Sequence, residues 1–175
     1  STLKVSTISP LGTDATKTIT IGSHSNGDTA AGVFTNTPAF FVKLSGNQSI
    51  GNNSNTKVTF DSEVFDTDNA FASNKFTVPT GKGGKYFIGY GLNCSGLDDT
   101  ESIQASIFKN GSTVNYGFAG QFSPASNQEI KFTSSSVLDL SAADYIELYV
   151  QHFEGSSMDL NASNTFLTGY RLIGA

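Results

Sequence analysis

The sequence predicts an all-β fold, a sandwich or barrel of antiparallel strands, and two observations support this. Short segments in which apolar and polar residues alternate recur along the chain, and clusters of turn residues bound each of them. Helix signals are almost absent, because no window of a dozen residues repeats apolar groups at spacings of three and four without Gly, Asn or a β-branched run. Alternation with a period of two places one set of side chains on the buried face of a strand.

Five segments show this alternation most clearly. In chain order their apolar sets are Phe40, Val42 and Leu44; Tyr86, Ile88, Tyr90, Leu92 and Cys94; Ile103, Ala105 and Ile107; Ile146, Leu148 and Val150; and Phe166, Tyr170 and Leu172. We expect these sets to face the core. Tyr86, Ile88, Tyr90, Ile146 and Leu148 are the central predictions of this register.

Two breaks between strands are marked by turn chemistry. Asn110-Gly111 separates two short β-rich runs and readily supplies the two positive φ angles of a type I′ turn, which predicts a tight hairpin. Pro79-Thr80-Gly81, followed by Gly83-Gly84, predicts a break just before the strand that contains Tyr86.

The composition excludes several classes of function. The chain has 175 residues, of which 37% are hydrophobic and only 14% charged, and its net charge is −5. Nucleic-acid phosphate would be repelled, so we expect no nucleic-acid partner. No run approaches the roughly 20 apolar residues of a membrane span, so we expect no membrane insertion. Cys94 is the only cysteine, which excludes a disulfide within the chain. The start, Ser1 to Val5, lacks the pattern of a signal peptide, so we expect no export signal there.

Residues 1–37 differ from the rest in their thin apolar content. Two β-rich patches occur in this segment, and a Gly- and Ser-rich link covers residues 23–32. The segment holds too little apolar surface to fold alone. We therefore predict an N-terminal docking arm over 1–37 and a head domain over 38–175. An ordinary disordered tail is the alternative.

Residues suited to catalysis are few. The two histidines are His24, in the Gly- and Ser-rich link, and His152, on the predicted inward face of a strand. No Gly-x-Ser-x-Gly motif is present, and Cys94 on a strand face is more typical of a small buried apolar residue than of a nucleophile. A carbohydrate-active enzyme stays as a third alternative, although the carboxylates show no recognisable pair and Trp is absent. We predict a protein that is not an enzyme and has no cofactor.

One acidic cluster is a candidate metal site. Asp98, Asp99 and Glu101 follow a predicted strand, and calcium prefers several oxygen ligands on a flexible loop. The spacing does not match a known calcium loop, so solvated turn acids are the alternative. This cluster is the candidate calcium site, and a second acidic cluster, Asp61, Glu63, Asp66 and Asp68, could contribute ligands in the same way.

A motif near the middle of the chain resembles a known family. Phe60, Asp66, Phe71 and Phe76, followed by the strand from Gly84 to Tyr90, resemble the signature of complement C1q heads, which are jelly rolls related to tumour necrosis factor. The spacing departs from the signature, because Phe71 and Phe76 are two residues closer and the next loop is two longer. The resemblance implies a jelly-roll sandwich of about ten antiparallel strands that assembles as a homotrimer, binds ligands and carries no catalysis. Calcium near the trimer apex occurs in some relatives.

A second resemblance concerns residues 3–8, 37–40 and 45–50. These phrases are similar to virion proteins of tailed bacteriophages, notably of marine bacteria. The resemblance implies a trimeric virion structural protein made in the host cytoplasm: a head fibre, decoration knob or tail-associated tip. Its arm would bind other virion proteins through residues 1–37, and its head would stabilise the particle or adhere to a glycan or protein of the host surface. The alternative is a secreted ligand-like or lectin-like module of the complement type.

Overall fold

The computed structural model describes residues 36–173, which form two antiparallel sheets. They belong to the second of two units into which the chain divides, Thr35–Ala175. The predicted docking arm, apart from its last two residues, lies outside the described residues. Residues 36–173 contain no helix, and so none with the length and apolarity to cross a membrane. The predicted all-β class is confirmed.

Thirteen strands occur in the described part of the chain, and eight of them have five residues or more. They are β1 (Ala39–Lys43), β2 (Gln48–Ile50), β3 (Thr56–Lys57), β4 (Ser62–Asp66), β5 (Phe71–Ala72), β6 (Lys75–Thr77), β7 (Gly84–Leu97), β8 (Ser102–Lys109), β9 (Ser112–Phe122), β10 (Gln128–Leu140), β11 (Tyr145–His152), β12 (Met158–Leu160) and β13 (Phe166–Arg171). The C1q-like resemblance implied about ten strands, and five of the thirteen have only two or three residues.

The long strand β7 organises the first sheet. Strands β2, β12, β7, β13, β1 and β4 follow one another in space, and β10 pairs along the other side of β7. In the second sheet the order is β5, β6, β11, β8 and β9, and β3 also pairs with β11. Strands from distant parts of the sequence therefore lie side by side, as in a sandwich closed by long crossovers.

The core lies between the two sheets and contains the residues that the sequence predicted for it. Tyr86, Ile88 and Tyr90 from β7 are at most 1% exposed, and Ile146 and Leu148 from β11 are fully buried. Apolar side chains that alternate along these strands leave water together, which is the main stabilising term of such a fold. The predicted register of both strands is confirmed.

Strand β13 corrects one prediction. Phe166 and Tyr170 were expected to face the core, but they are half-buried on the outer side of the first sheet, and Leu167 is the fully buried residue. The reason is that Gly169 occupies the next inward position. A Cβ atom there would lie 2.7 Å from Ile88 Cδ1, so the core has no room for a ring. The large side chains of β13 therefore point outward.

The predicted hairpin is present between β8 and β9. Asn110 and Gly111 have φ values of 52° and 78°, as a type I′ turn requires. Asn110 also links the hairpin to β11, because its Oδ1 accepts a hydrogen bond from the Tyr145 N–H at 2.9 Å. The hairpin is thus fixed by its own turn and by a neighbouring strand.

The residues of the C1q-like signature have structural roles. Phe60 and Phe76 are buried, and Phe71 stacks on Phe40 with ring centroids 5.8 Å apart. Asp66 holds the turn before Phe71, because its Oδ2 accepts the Phe71 N–H at 2.7 Å. The signature therefore marks packing and turn positions and not a reactive site.

Candidate interaction surfaces

The histidine and the cysteine in the described part of the chain are buried and paired. His152 is fully buried, with Nε2 3.2 Å from the Ile50 carbonyl oxygen, and Nδ1 accepts the Glu154 N–H at 3.3 Å. These contacts assign the ring proton to Nε2. Burial raises the pKa of Cys94 to about 11, so its thiol is a poor nucleophile. His24 lies outside the described residues.

The acidic cluster does not form a chelating set. Asp98 accepts the Asn127 N–H through Oδ1 at 3.1 Å, and the Glu101 N–H bonds the Asp98 carbonyl oxygen at 3.2 Å. Within residues 36–173 no group of three His, Cys, Asp or Glu residues is arranged to hold a metal ion. The carboxylate of Asp98 therefore links the loop between β7 and β8 to the residue before β10, and calcium binding by Asp98, Asp99 and Glu101 stays a prediction.

The outer side of the first sheet carries two stacked groups of aromatic rings, which together we call the aromatic face. Its members come from four strands, β1, β4, β7 and β13, and are Phe41, Phe65, Phe87, Phe166 and Tyr170. Phe41 stacks on Phe166 with centroids 5.2 Å apart and lies 6.4 Å from Phe65, and Phe87 stacks on Tyr170 at 5.2 Å. The rings thus support one another while one side of them faces solvent.

Two glycines of β7 make room for these rings. Phe87, Gly89 and Gly91 occupy successive outward positions of β7, and Gly91 lies opposite Phe166. A Cβ atom on Gly91 would lie 2.4 Å from Phe166 Cε1, so any larger residue would displace that ring. The absence of side chains at these positions lets the rings lie flat on the sheet.

A shallow depression adjoins the aromatic face on its β10 side. It measures about 380 Å³ and is lined by Leu92, Lys131, Phe132, Thr133, Asn164 and Phe166. Val137 of β10, which is 53% exposed, extends the apolar surface further along the sheet. The first sheet therefore presents a surface that is both apolar and indented.

The second apolar surface is the edge formed by β9 and β10. Among the described strands, β9 pairs with β8 alone and β10 with β7 alone, and the two lie next to each other. Tyr116 projects from an irregular part of β9 and is 81% exposed. Unpaired strand edges with apolar side chains are places where other chains bind.

Comparisons with known proteins detect the fold only through structure. No protein-family model matches the sequence, and no curated protein matches it. Among solved structures 228 chains match. The globular domain of the zebrafish complement 1qA protein is similar with a TM-score of 0.54 and 16% identity, over 77% of this chain and 97% of that one.

Two ligands of the tumour-necrosis-factor type give the same result. Murine APRIL has a TM-score of 0.56 and 16% identity, over 77% of this chain and 98% of that one. Eiger TNF from S. frugiperda has a TM-score of 0.54 and 14% identity, over 78% and 92%. The fold is the jelly roll of complement C1q and tumour necrosis factor. The C1q-like signature therefore identified the fold correctly.

Sequence reasoning missed the aromatic face as a unit. Its five rings are contributed by segments that span residues 41 to 170, so only the strand order brings them together. One signal of it was present in the sequence. Phe87, Gly89 and Gly91 occupy every second position of β7, on the side that faces away from the core. Glycine at two consecutive outward positions of a strand indicates that something packs closely over them.

Proposed function

We propose that the chain is a non-enzymatic binding module that works as a homotrimer. The observation that supports this is the aromatic face, because exposed apolar surface rich in aromatic rings marks protein interfaces. The described residues add no nucleophile activated by a base and no metal-binding cluster that would favour an enzyme.

The contact that we propose joins two different surfaces. The aromatic face of one subunit would pack on the β9–β10 edge of the next, where Tyr116 projects. A contact between unlike surfaces repeats around an axis and closes when the rotation allows it. The resemblance of the Phe60 to Tyr90 segment to C1q heads implies that three subunits close the ring.

The test is the size of the particle in solution. We expect the purified chain to sediment at micromolar concentration as three times the 18.4 kDa subunit. Phe87→Arg should produce folded monomers, because a charge would be buried against the neighbouring subunit. The matched control is Phe153→Arg, which changes a ring that is 37% exposed just after β11 and belongs to neither contact surface, so the trimer should stay intact. A wild-type chain that sediments as a stable monomer would contradict the proposal.

The virion role is a more specific prediction and is not favoured by the same observations. The named structural neighbours are complement and tumour-necrosis-factor proteins, which accord better with a ligand-like or lectin-like binding module. Residues 1–37, which would bind other virion proteins, lie almost entirely outside the described residues. Attachment to a bacteriophage particle, and with it the virion location, therefore stays a prediction from the sequence.

A further inference from the structure

The outer side of the second sheet carries another arrangement of rings, separate from the aromatic face. Ser106 of β8 lies opposite Phe118 of β9 on one side and opposite Tyr149 of β11 on the other. Neighbouring strands are about 4.8 Å apart, so the backbones that carry the two rings are roughly 10 Å apart. Phe108 fixes the ring of Tyr149, since their centroids are 4.2 Å apart. A small side chain thus lies between two rings.

The next row of cross-strand neighbours is polar, and its side chains stand lower than the rings. Gly120 of β9, Gln104 of β8 and Gln151 of β11 lie side by side, and Phe122 lies opposite Ser102 in the row beyond. Phe118 and Phe122 are 52% and 71% exposed, so they stand above the residues between them. We call this surface the amide platform. Its rim consists of Phe118, Phe122 and Tyr149, and its floor consists of Ser102, Gln104, Ser106 and Gly120.

The floor of the amide platform offers hydrogen-bonding groups to a ligand. Gln104 Nε2 donates to Gln151 Oε1 at 2.8 Å, and Gln151 Nε2 donates to Asn53 Oδ1 at 3.0 Å. This chain of amides orients Gln104 and leaves its Oε1 without a partner among the described residues. The hydroxyl of Ser106 also has no partner in that part of the chain. Donors and acceptors therefore lie at fixed positions between the rings.

The charge of the amide platform limits the class of ligand. Its floor and rim contain no Lys, Arg, Asp or Glu. Lys57 of β3 lies opposite Tyr149 at the margin of the platform, and its ammonium group forms an ion pair of 2.6 Å with Glu147 of β11. A phosphate, a sulfate or an acidic peptide would therefore meet only a lysine that a carboxylate already neutralises. The ligand that matches the platform is uncharged.

We propose that the amide platform binds a neutral oligosaccharide, which names the ligand of the binding module proposed above and so rests on that function. Sugar hydroxyls match the amide and hydroxyl groups of the floor. The C–H side of a pyranose ring carries partial positive charge and packs on the negative face of an aromatic ring, and Phe118 and Tyr149 supply such faces. An apolar protein side chain would bury Gln104 Oε1 without a hydrogen bond, which is costly.

The experiment uses the full chain of 175 residues and a panel of neutral hexose oligosaccharides, with sialylated and sulfated oligosaccharides as the comparison. Binding is measured by array and then by calorimetry with the best neutral oligosaccharide. Phe118→Ala and Gln104→Ala should each weaken binding by about tenfold or more, because each removes a ring contact or a fixed acceptor. The matched control is Val64→Ala, which shortens a side chain of β4 that is 56% exposed on the other sheet and belongs to neither surface. It should leave the affinity unchanged.

The outcomes separate this inference from the proposed function. The same preparations are sedimented, and the two platform variants are expected to remain trimeric. A trimeric wild-type chain that binds no neutral oligosaccharide overturns the inference and leaves the trimer in place. A preference for acidic oligosaccharides, or an equal loss of binding in Val64→Ala, also overturns it. A monomeric chain that binds neutral oligosaccharides through Phe118 and Gln104 supports the inference while contradicting the trimer.

Discussion

Asp144 shows how one carboxylate connects a turn, a hairpin and a lysine. Lys109 Nζ lies 2.8 Å from its Oδ2, Asn110 Nδ2 donates to its Oδ1 at 2.7 Å, and the Ser141 N–H donates to its Oδ2 at 2.8 Å. The bond from Lys109 contributes most, and together these donors lower the pKa of Asp144 to about 2. All of them bind the ionised form, so the turn before β11 is most stable when this carboxylate is charged.

The pH dependence of unfolding follows from this shift. Because the pKa of Asp144 is lower in the folded chain than the ordinary 3.8, its contribution to stability is complete above pH 3.8 and is lost as the pH falls through about 2. Asp144→Asn should be less stable than the wild type at pH 6, and the difference should shrink toward pH 2. Urea midpoints of both proteins across this range measure it. A difference that stays constant with pH would contradict the assignment.

At the scale of an element, β13 shows how glycine decides which side of a strand faces the core. The inward position of Gly169 is closed by Ile88 Cδ1 at 2.7 Å, Phe40 Cε1 at 2.8 Å and the Phe87 carbonyl oxygen at 2.9 Å from an ideal Cβ. The backbone oxygen cannot move without disturbing the pairing of β7 with β13. The close approach of the two strands to the core therefore depends on this residue.

The substitution Gly169→Ala should destabilise the fold by about 1–3 kcal/mol, because the added methyl group overpacks the core. The matched control is Gly46→Ala. No atom lies within 4 Å of an ideal Cβ at Gly46, and its φ is not positive, so the change should be close to neutral. Chemical denaturation of the two variants gives the comparison. Equal stability of both would show that β13 does not pack as described.

The sequence was most informative where one strand carries the whole signal. Alternation along β7 and β11 identified their buried sides, and Asn110-Gly111 identified its turn, because these features depend on neighbours in the chain. The buried side of β13 was predicted wrongly. The large apolar rings of Phe166 and Tyr170 indicated the wrong side, because the inward side carries the small Gly169. The aromatic face and the amide platform depend on which strands become neighbours, and periodicity within a strand does not contain that information.

At the scale of the whole molecule, the two candidate surfaces lie on opposite sheets. Two sheets that pack face to face turn their outer sides in opposite directions. A contact between the aromatic face of one subunit and the β9–β10 edge of the next covers the first sheet and one edge of the second. We expect it to leave the outer side of the second sheet exposed. Three subunits would then present three amide platforms, and several weak sugar contacts made together raise the apparent affinity for a surface with many copies of the ligand.

The described strands account for their own packing without the N-terminal segment. Each strand pairs with another strand within residues 36–173, and no buried side-chain nitrogen or oxygen there lacks a hydrogen-bond partner. The fully buried Phe40, near the start of this part, already packs on Phe76 with centroids 4.5 Å apart. Stability should therefore reside in the unit Thr35–Ala175.

Deleting residues 1–30 tests this directly. The truncated chain should fold, sediment like the full chain and melt within roughly 2 °C of it, because a change below about 1 kcal/mol is expected when no core contact is removed. Calorimetry and sedimentation of both proteins give the measurement. The matched control is deletion of residues 1–43, which removes β1 with the buried Phe40 and Val42 and should prevent folding, because β13 and β4 both pair with β1. Loss of folding in the shorter deletion would instead make residues 1–30 part of the head.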